Sequence, residues 1–300
     1  MKKFLLKILQ SIFCGLIHKY PQLLKLNDPP GHYYSPIPCL NDIQKREHVL
    51  WPDHLSYDLP ALDLNIEEQI KVLIEFEDCY RQAPFSNSKQ VNYRYYYDNP
   101  MFLYSDAIFL YCMLKKRTPK KIIEIGSGFS SCVMMDVNEY CCDNRLEITF
   151  IDPFPERLRS LMMPRDVCRY PIIEREVQEC DASLFASLQS GDYLFIDSSH
   201  VSKTASDVNF ILFEILPALR PGVFIHFHDI FYPFEYPKEW IFAGRAWNES
   251  YVVRAFLQYN EIFKIYFFAS FLNFYCEERI RKNMPLCLKN TGASLWLKKC

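Results

Sequence analysis

Twelve cysteines occur in 300 residues, yet none form a CxxC pair and no Cys/His cluster has zinc spacing. That excludes a zinc module and a thioredoxin-type redox site. A reduced chain with buried thiols is the expectation, which places it in the cytoplasm. A basic surplus is also missing: 34 Lys and Arg stand against 36 Asp and Glu, a net charge of −2, so nothing points to nucleic acid. No internal repeat, low-complexity tract or acidic tail appears. Long apolar runs are lacking too. The first 26 residues, MKKFLLKILQSIFCGLIHKYPQLLKL, imitate a signal peptide, but Lys7 and Gln10 interrupt the stretch and no A-x-A-like site follows. The stretch is too short and polar to span a bilayer. Phe4, Leu5, Ile8, Ile12 and Leu16 fall near helical spacing, which predicts an amphipathic helix that packs on the main domain, with membrane-surface contact the minor alternative.

Glycine is scarce, at eight residues, and two of the eight stand two positions apart in KKIIEIGSGFSS, residues 120–131. Ile122, Ile123 and Ile125 make a short apolar run, the pattern of a strand buried on both faces of a parallel sheet. Gly126 and Gly128 follow, and then SSCVMMDV, a helix with Ser130 or Ser131 as its cap. Strand, glycine turn and helix together let a backbone approach a nucleotide closely.

Half the residues are hydrophobic and 23% are charged, so a large core is available. Residues 27–60 are rich in Pro, Asp, Asn and His and read as loop. Asn65 can cap a helix through EEQIKVLIEFEDCYRQ, and Ser105 one from Asp106 to Lys116. The aromatic run VNYRYYYDNPMFLY reads as core filler. From the glycine strand onward strands and helices alternate: LEITFID, PIIEREVQ, DYLFID, then a long helix SDVNFILFEILPALR, and VFIHFHD. A helix through WNESYVVRAFLQYN precedes EIFKIYFF, and ASLWLKK closes the chain. The last two strands, read as joined without a crossover helix, should pair antiparallel. The expected organisation is a helix over 1–26, a loop and helical extension over 27–90 that could act as a lid, and an α/β domain over 91–300.

In an open α/β sheet, ligands sit beyond the carboxyl ends of the strands, near the point where strand order reverses. Glu124 and the glycines, Asp152, Asp181, Asp197, and His228 with Asp229 all fall at such ends. A carboxylate ending the second strand is placed to accept ribose hydroxyls, which is the reading for Asp152. Asp181 could reach an adenine amino group or cap the next helix. Ser131 stands where a dinucleotide fingerprint needs its third glycine, which disfavours a pyrophosphate ligand and leaves a nucleoside such as S-adenosylmethionine.

The motif EIGSG, the acidic end of strand two and the final antiparallel pair resemble the class I S-adenosylmethionine-dependent methyltransferases. More narrowly, GHYYSPIP, YSDAIFLY, IIEIGSGFSS, FIDSSH and RPGVFIHFHDIFYPFEYP look like a bacterial subgroup acting on small molecules, over residues 30–300. The resemblance implies a Rossmann-like, doubly wound, mostly parallel seven-stranded sheet with cofactor contacts at Glu124, Gly126, Gly128 and Asp152. It also implies O-methylation of a small polar acceptor, such as a sugar or secondary-metabolite hydroxyl.

Two catalytic readings stand side by side at the ends of strands four and five. His200 or His228 takes a proton from an acceptor hydroxyl, a role suited to an ordinary pKa near 6.5. Alternatively Asp197, His228 and Asp229 hold a divalent cation. Metal-dependent relatives carry acidic or amide residues there, so His228 departs from the pattern and weighs against magnesium. His226, in mid-strand, reads as a core histidine. An NAD-dependent oxidoreductase and a non-catalytic binding module are the rival functions.

Overall fold

The computed structural model describes residues 27–300, so the helix expected over residues 1–26 lies outside the described residues. The chain divides into two compact units. Among the described residues, one comprises 27–53 together with Ile241–Ala246, and the other His54–Trp240 with Trp247–Cys300. In the first, the loop read from sequence holds two short helices, α1 (Leu40–Lys45) and α2 (Glu47–Leu50).

The second unit takes in more of the chain than the expected 91–300. Its helix α3 (Ile66–Tyr80) buries Val72, Leu73 and Phe76, and Phe76 packs on Phe109 and Phe267. Gln69 at its start bridges Leu64 O and the Phe268 amide. Truncating a ring as buried as Phe76 to Ala should cost about 3–5 kcal/mol. Asn65 stands at the N-cap position, but its amide donates to Ile265 O instead of serving the helix. Helix α4 (Tyr104–Arg117) begins before Ser105, whose expected cap role is not taken. Asp106 in its first turn accepts from Ala293 N, Ser294 Oγ and Asn290 Nδ2, tying α4 to the chain's last strand.

Seven strands follow: β1 (Lys121–Ile125), β2 (Glu147–Ile151), β3 (Ile172–Ile173), β4 (Tyr193–Ile196), β5 (Phe224–Phe227), β6 (Phe263–Phe268) and β7 (Leu295–Lys299). Their order in the sheet is β3-β2-β1-β4-β5-β7-β6. All pairs are parallel except those of β7, which runs antiparallel to both β5 and β6. The architecture is the expected Rossmann-like sheet with a final antiparallel pair. The connection of that pair differs from expectation. Residues after β6 form α12 (Ala269–Tyr275) and α13 (Glu277–Asn283), so two helices separate β6 from β7. Strand β3 is two residues long, much shorter than PIIEREVQ.

The remaining helices are α5 (Phe129–Cys141), α6 (Glu156–Leu161), α7 (Ala182–Ala186), α8 (Asp207–Phe210), α9 (Leu216–Ala218), α10 (Lys238–Phe242) and α11 (Glu249–Leu257). The single long helix expected over 206–220 is α8 and α9 joined by a π-helical stretch, Ile211–Ile215. Strands β1, β4 and β5 are buried on both faces, which explains their largely apolar runs, broken only by Glu124 and His226. Parallel register pairs Ile125 with Ile151 and Ile196, and Ile196 with Phe227. The next residues, Gly126, Asp152, Asp197 and His228, therefore come level at one edge. Strand order reverses between β1 and β4, where such sheets bind ligands.

Candidate active site

Gly126 sits at φ +76°, and a Cβ there would lie 2.0 Å from the backbone carbonyl oxygen of Asp197. Only glycine fits, so the turn after β1 is pressed against the end of β4. Gly128 occupies the N-cap of α5. Ser130 and Ser131 are inside its first turn, not at its cap. Both hydroxyls donate at 2.5 Å to Glu124, and Ser131 Oγ also accepts from Gly128 N. Glu124 is fully buried, and burial lifts its carboxyl to about 8 despite the two serine hydrogen bonds. It fixes the helix start beneath the turn.

Asp152 ends β2 as expected. Its Oδ2 accepts from Ser127 N at 3.0 Å and Ser127 Oγ at 2.6 Å, and its Oδ1 accepts from Phe154 N. The carboxylate is half-buried, and lone pairs remain for further donors. Asp181 caps α7, accepting from Ser183 N at 2.8 Å. That bond accounts for the residue without any ligand and holds its pKa below the ordinary value.

The ends of β4 and β5 bring Asp197, His200 and Asp229 together. His200 Nε2 lies 3.3 Å from Asp197 Oδ1 and 3.6 Å from Asp229 Oδ2. Its other nitrogen, Nδ1, is 2.8 Å from Glu249 Oε2, and Glu249 Oε1 accepts from Ser198 Oγ at 2.8 Å. Trp247 lies over the imidazole with 4.3 Å between ring centres. The His200 carbonyl accepts from both Asn248 N and Glu249 N. Both His200 and Asp229 take left-handed backbone conformations, at φ +61° and +56°. Such strain persists where surrounding contacts over-determine it, and it collects at functional sites.

The charges follow from this packing. Burial opposes charging of His200, but the hydrogen bonds to Asp197 and Glu249 outweigh it and raise its pKa to about 10. Burial works against the Asp197 carboxylate as well, yet His200 and His228 bring its pKa below the ordinary value. The Asp197 side chain is partly buried, at 37% exposed, whereas Asp229 is 14% exposed and burial raises its pKa. His228 stands beside the cluster, not within it. Its Nε2 is 3.5 Å from Asp229 Oδ1, its Nδ1 has no hydrogen-bond partner among the described residues, and its ring packs on Phe102. His226 is stacked on Phe195 and packed on Trp296, and burial drives its pKa far down, so it is a neutral core residue.

Among the described residues, the one group able to hold a metal ion is Asp197, His200 and Asp229, with candidate ligand atoms within 4.8 Å of each other. The set expected from sequence had His228 in place of His200. A left-handed turn after β4 swings His200 back over the strand end, which three-residue spacing alone does not reveal. Glu249 was missed altogether, although a signal existed. With Val253 and Leu257 it forms an i, i+4, i+8 stripe on α11, a lone acid on a buried face.

A family model described as a methyltransferase domain matches residues 123–230, the stretch from β1 through β5 that carries every strand end described above. This chain carries a methyltransferase domain over residues 123–230. An uncharacterized protein of Archaeoglobus fulgidus is 34% identical to the methyltransferase over 168 residues, covering 54% of this chain and 73% of its own length. Two solved structures are also similar. The SAH-bound Podospora anserina methyltransferase PaMTH1 has 14% identity and a TM-score of 0.44, covering 82% of this chain and 100% of its own. The Streptomyces achromogenes O-methyltransferase TomG, in complex with SAM, has 12% identity and a TM-score of 0.37, covering 74% and 86%. Likenesses this weak carry no weight for the site. No helix among the described residues is long and apolar enough to cross a membrane.

Proposed function

We propose that the methyltransferase moves the methyl group of S-adenosylmethionine to a hydroxyl oxygen of a small polar metabolite. The observation that carries this reading is the convergence of Asp197, His200 and Asp229 on the β4 and β5 ends, directly against the glycine turn. In this reading the turn from Gly126 to Gly128 passes under the cofactor and Asp152 accepts its ribose hydroxyls. Asp181 lies toward the adenine as well as capping α7. The acceptor hydroxyl donates to Asp197 or Asp229, which aims an oxygen lone pair at the methyl carbon. Holding donor and acceptor in line supplies most of the rate.

The expected histidine base changes under this geometry. At neutral pH the carboxylates keep His200 as an imidazolium, so it orients the acids and cannot itself accept the proton. Asp229, with its raised pKa, is the better proton acceptor. A divalent cation also fits the cluster. Asp197, His200 Nε2 and Asp229 would hold it, with Glu249 on Nδ1 orienting the imidazole. Bound there, a cation would acidify a hydroxyl, and two oxygens with one nitrogen suit manganese or zinc better than magnesium.

Incubating the protein with methyl-labelled S-adenosylmethionine and a panel of hydroxylated metabolites tests the reading, with and without EDTA. Label transferred to oxygen supports it, and transfer that survives EDTA favours the metal-free form. Loss on chelation with recovery in manganese favours the cation. NAD binding without S-adenosylmethionine binding would defeat the methyltransferase assignment and the reading with it.

A further inference from the structure

Arg157 is an exposed residue in the first turn of α6, five positions after Asp152. The Pro-Phe-Pro sequence at 153–155 ends β2 and turns the chain into α6. From there the arginine reaches back across the glycine turn. A Cβ built on Gly128 would lie 3.4 Å from Arg157 Cδ and 4.0 Å from its Nη1. The charge of Arg157 also contributes to holding Asp197 ionised, so the guanidinium lies within electrostatic reach of the β4 end. Among the described residues no side-chain hydrogen bond or ion pair to this guanidinium is seen. Asp152, five positions before it, accepts from Ser127 and Phe154 N. A permanent cation with a fork of N–H donors thus spans the turn over which the cofactor reading lays its ligand.

We propose that Arg157 binds the carboxylate of the amino-acid end of the cofactor and so selects ligands that carry it. The inference rests on the methyltransferase reading. The carboxylate is the one anionic group of S-adenosylmethionine, and a planar guanidinium matches it through two parallel hydrogen bonds. Asp152, bonded to Ser127 of the same turn, is an acceptor and serves hydroxyls. The two side chains thus divide the ligand by charge: donors on the ligand meet Asp152, and its anion meets Arg157.

Calorimetric titration of the full chain with three probes tests this: S-adenosylmethionine, S-adenosylhomocysteine and 5′-methylthioadenosine, which keeps the nucleoside but lacks the amino-acid end. Arg157→Gln should weaken both amino-acid-bearing ligands by about tenfold, a partly exposed charge-assisted pair, and leave 5′-methylthioadenosine unchanged. Arg157→Lys should fall between, since an ammonium keeps the charge and loses the fork. Equal weakening of all three probes, unchanged binding, or tighter binding of S-adenosylhomocysteine in Arg157→Gln would each overturn the proposal while leaving the methyltransferase reading intact. A wild-type protein that binds none of the three would overturn both.

Discussion

Arg94 and His200 are both buried cations among three carboxylates, and their surroundings differ in kind. Arg94 donates from Nε to Asp166 at 2.7 Å, from its two amino groups to Asp136 at 2.8 Å and Asp166 at 2.5 Å, and to Glu139 at 2.7 Å. Its backbone amide and that of Tyr95 donate to Asp136 as well. The guanidinium is spent on short bonds that lock the 92–97 loop to α5 and to the turn before Tyr170. His200 has one short bond, to Glu249, on the side away from Asp197 and Asp229. Toward those two acids its distances open to 3.3 and 3.6 Å, and the backbone at His200 and Asp229 is left-handed. A saturated cluster holds a fold together. An open one on strained backbone, facing a ligand edge, is arranged for something that arrives later.

The largest effect expected from this contrast is on stability. Arg94→Met should cost about 3–5 kcal/mol, because buried carboxylates lose their cation, and denaturant unfolding would show it. S-adenosylhomocysteine binding by the molecules still folded should be unchanged. A loss of affinity exceeding the unfolded fraction would make Arg94 part of the site and erase the distinction.

A smaller effect concerns pH. His200 has a folded pKa of about 10, above its ordinary 6.5, so its contribution is complete below about pH 6.5 and lost as pH rises through 10. In EDTA-treated protein that loss should be about 2–4 kcal/mol, and His200→Gln should flatten the curve across this window. An unaltered slope in the variant would mean that His200 is not charged at neutral pH. Glu124 supplies the smallest effect. Its folded value of about 8 is also raised, from 4.5, so its contribution declines from about pH 4.5 upward. Glu124→Gln should be near neutral at pH 4.5 and stabilising by roughly 1–3 kcal/mol at pH 9 in thermal melts. Stabilisation that does not grow with pH would show that the buried carboxyl is already ionised.

Much of the sheet was legible because its strands are buried on both faces and end in glycine or acid. Ile122 to Gly126 and Tyr193 to Asp197 show both marks. The antiparallel closure was read correctly but for an incomplete reason, since FLNFYCEERIRKN is a pair of helices and the reversal comes from how β7 inserts between β5 and β6. Asp197, His200 and Asp229 were legible as strand-end residues. Which of the two histidines joins the acids depends on the left-handed turn at His200, and no local residue pattern encodes that. The Arg94 network was read as aromatic filler because its acids come from α5 and the 164–166 turn, 42 to 72 positions away. Glu249 shows the same limit, 49 positions from His200.

The most direct measurement of the central claim is Asp229→Asn, followed by thermal unfolding and by methyl transfer to a hydroxylated acceptor. The account predicts a stability change within about 1 kcal/mol, because a strained site gives up an awkward charge. It also predicts retained S-adenosylhomocysteine binding and a rate lower by roughly 10²–10⁴, the contribution of a positioned proton acceptor. Full activity in this variant, or a stability loss as large as that of Arg94→Met, would contradict it.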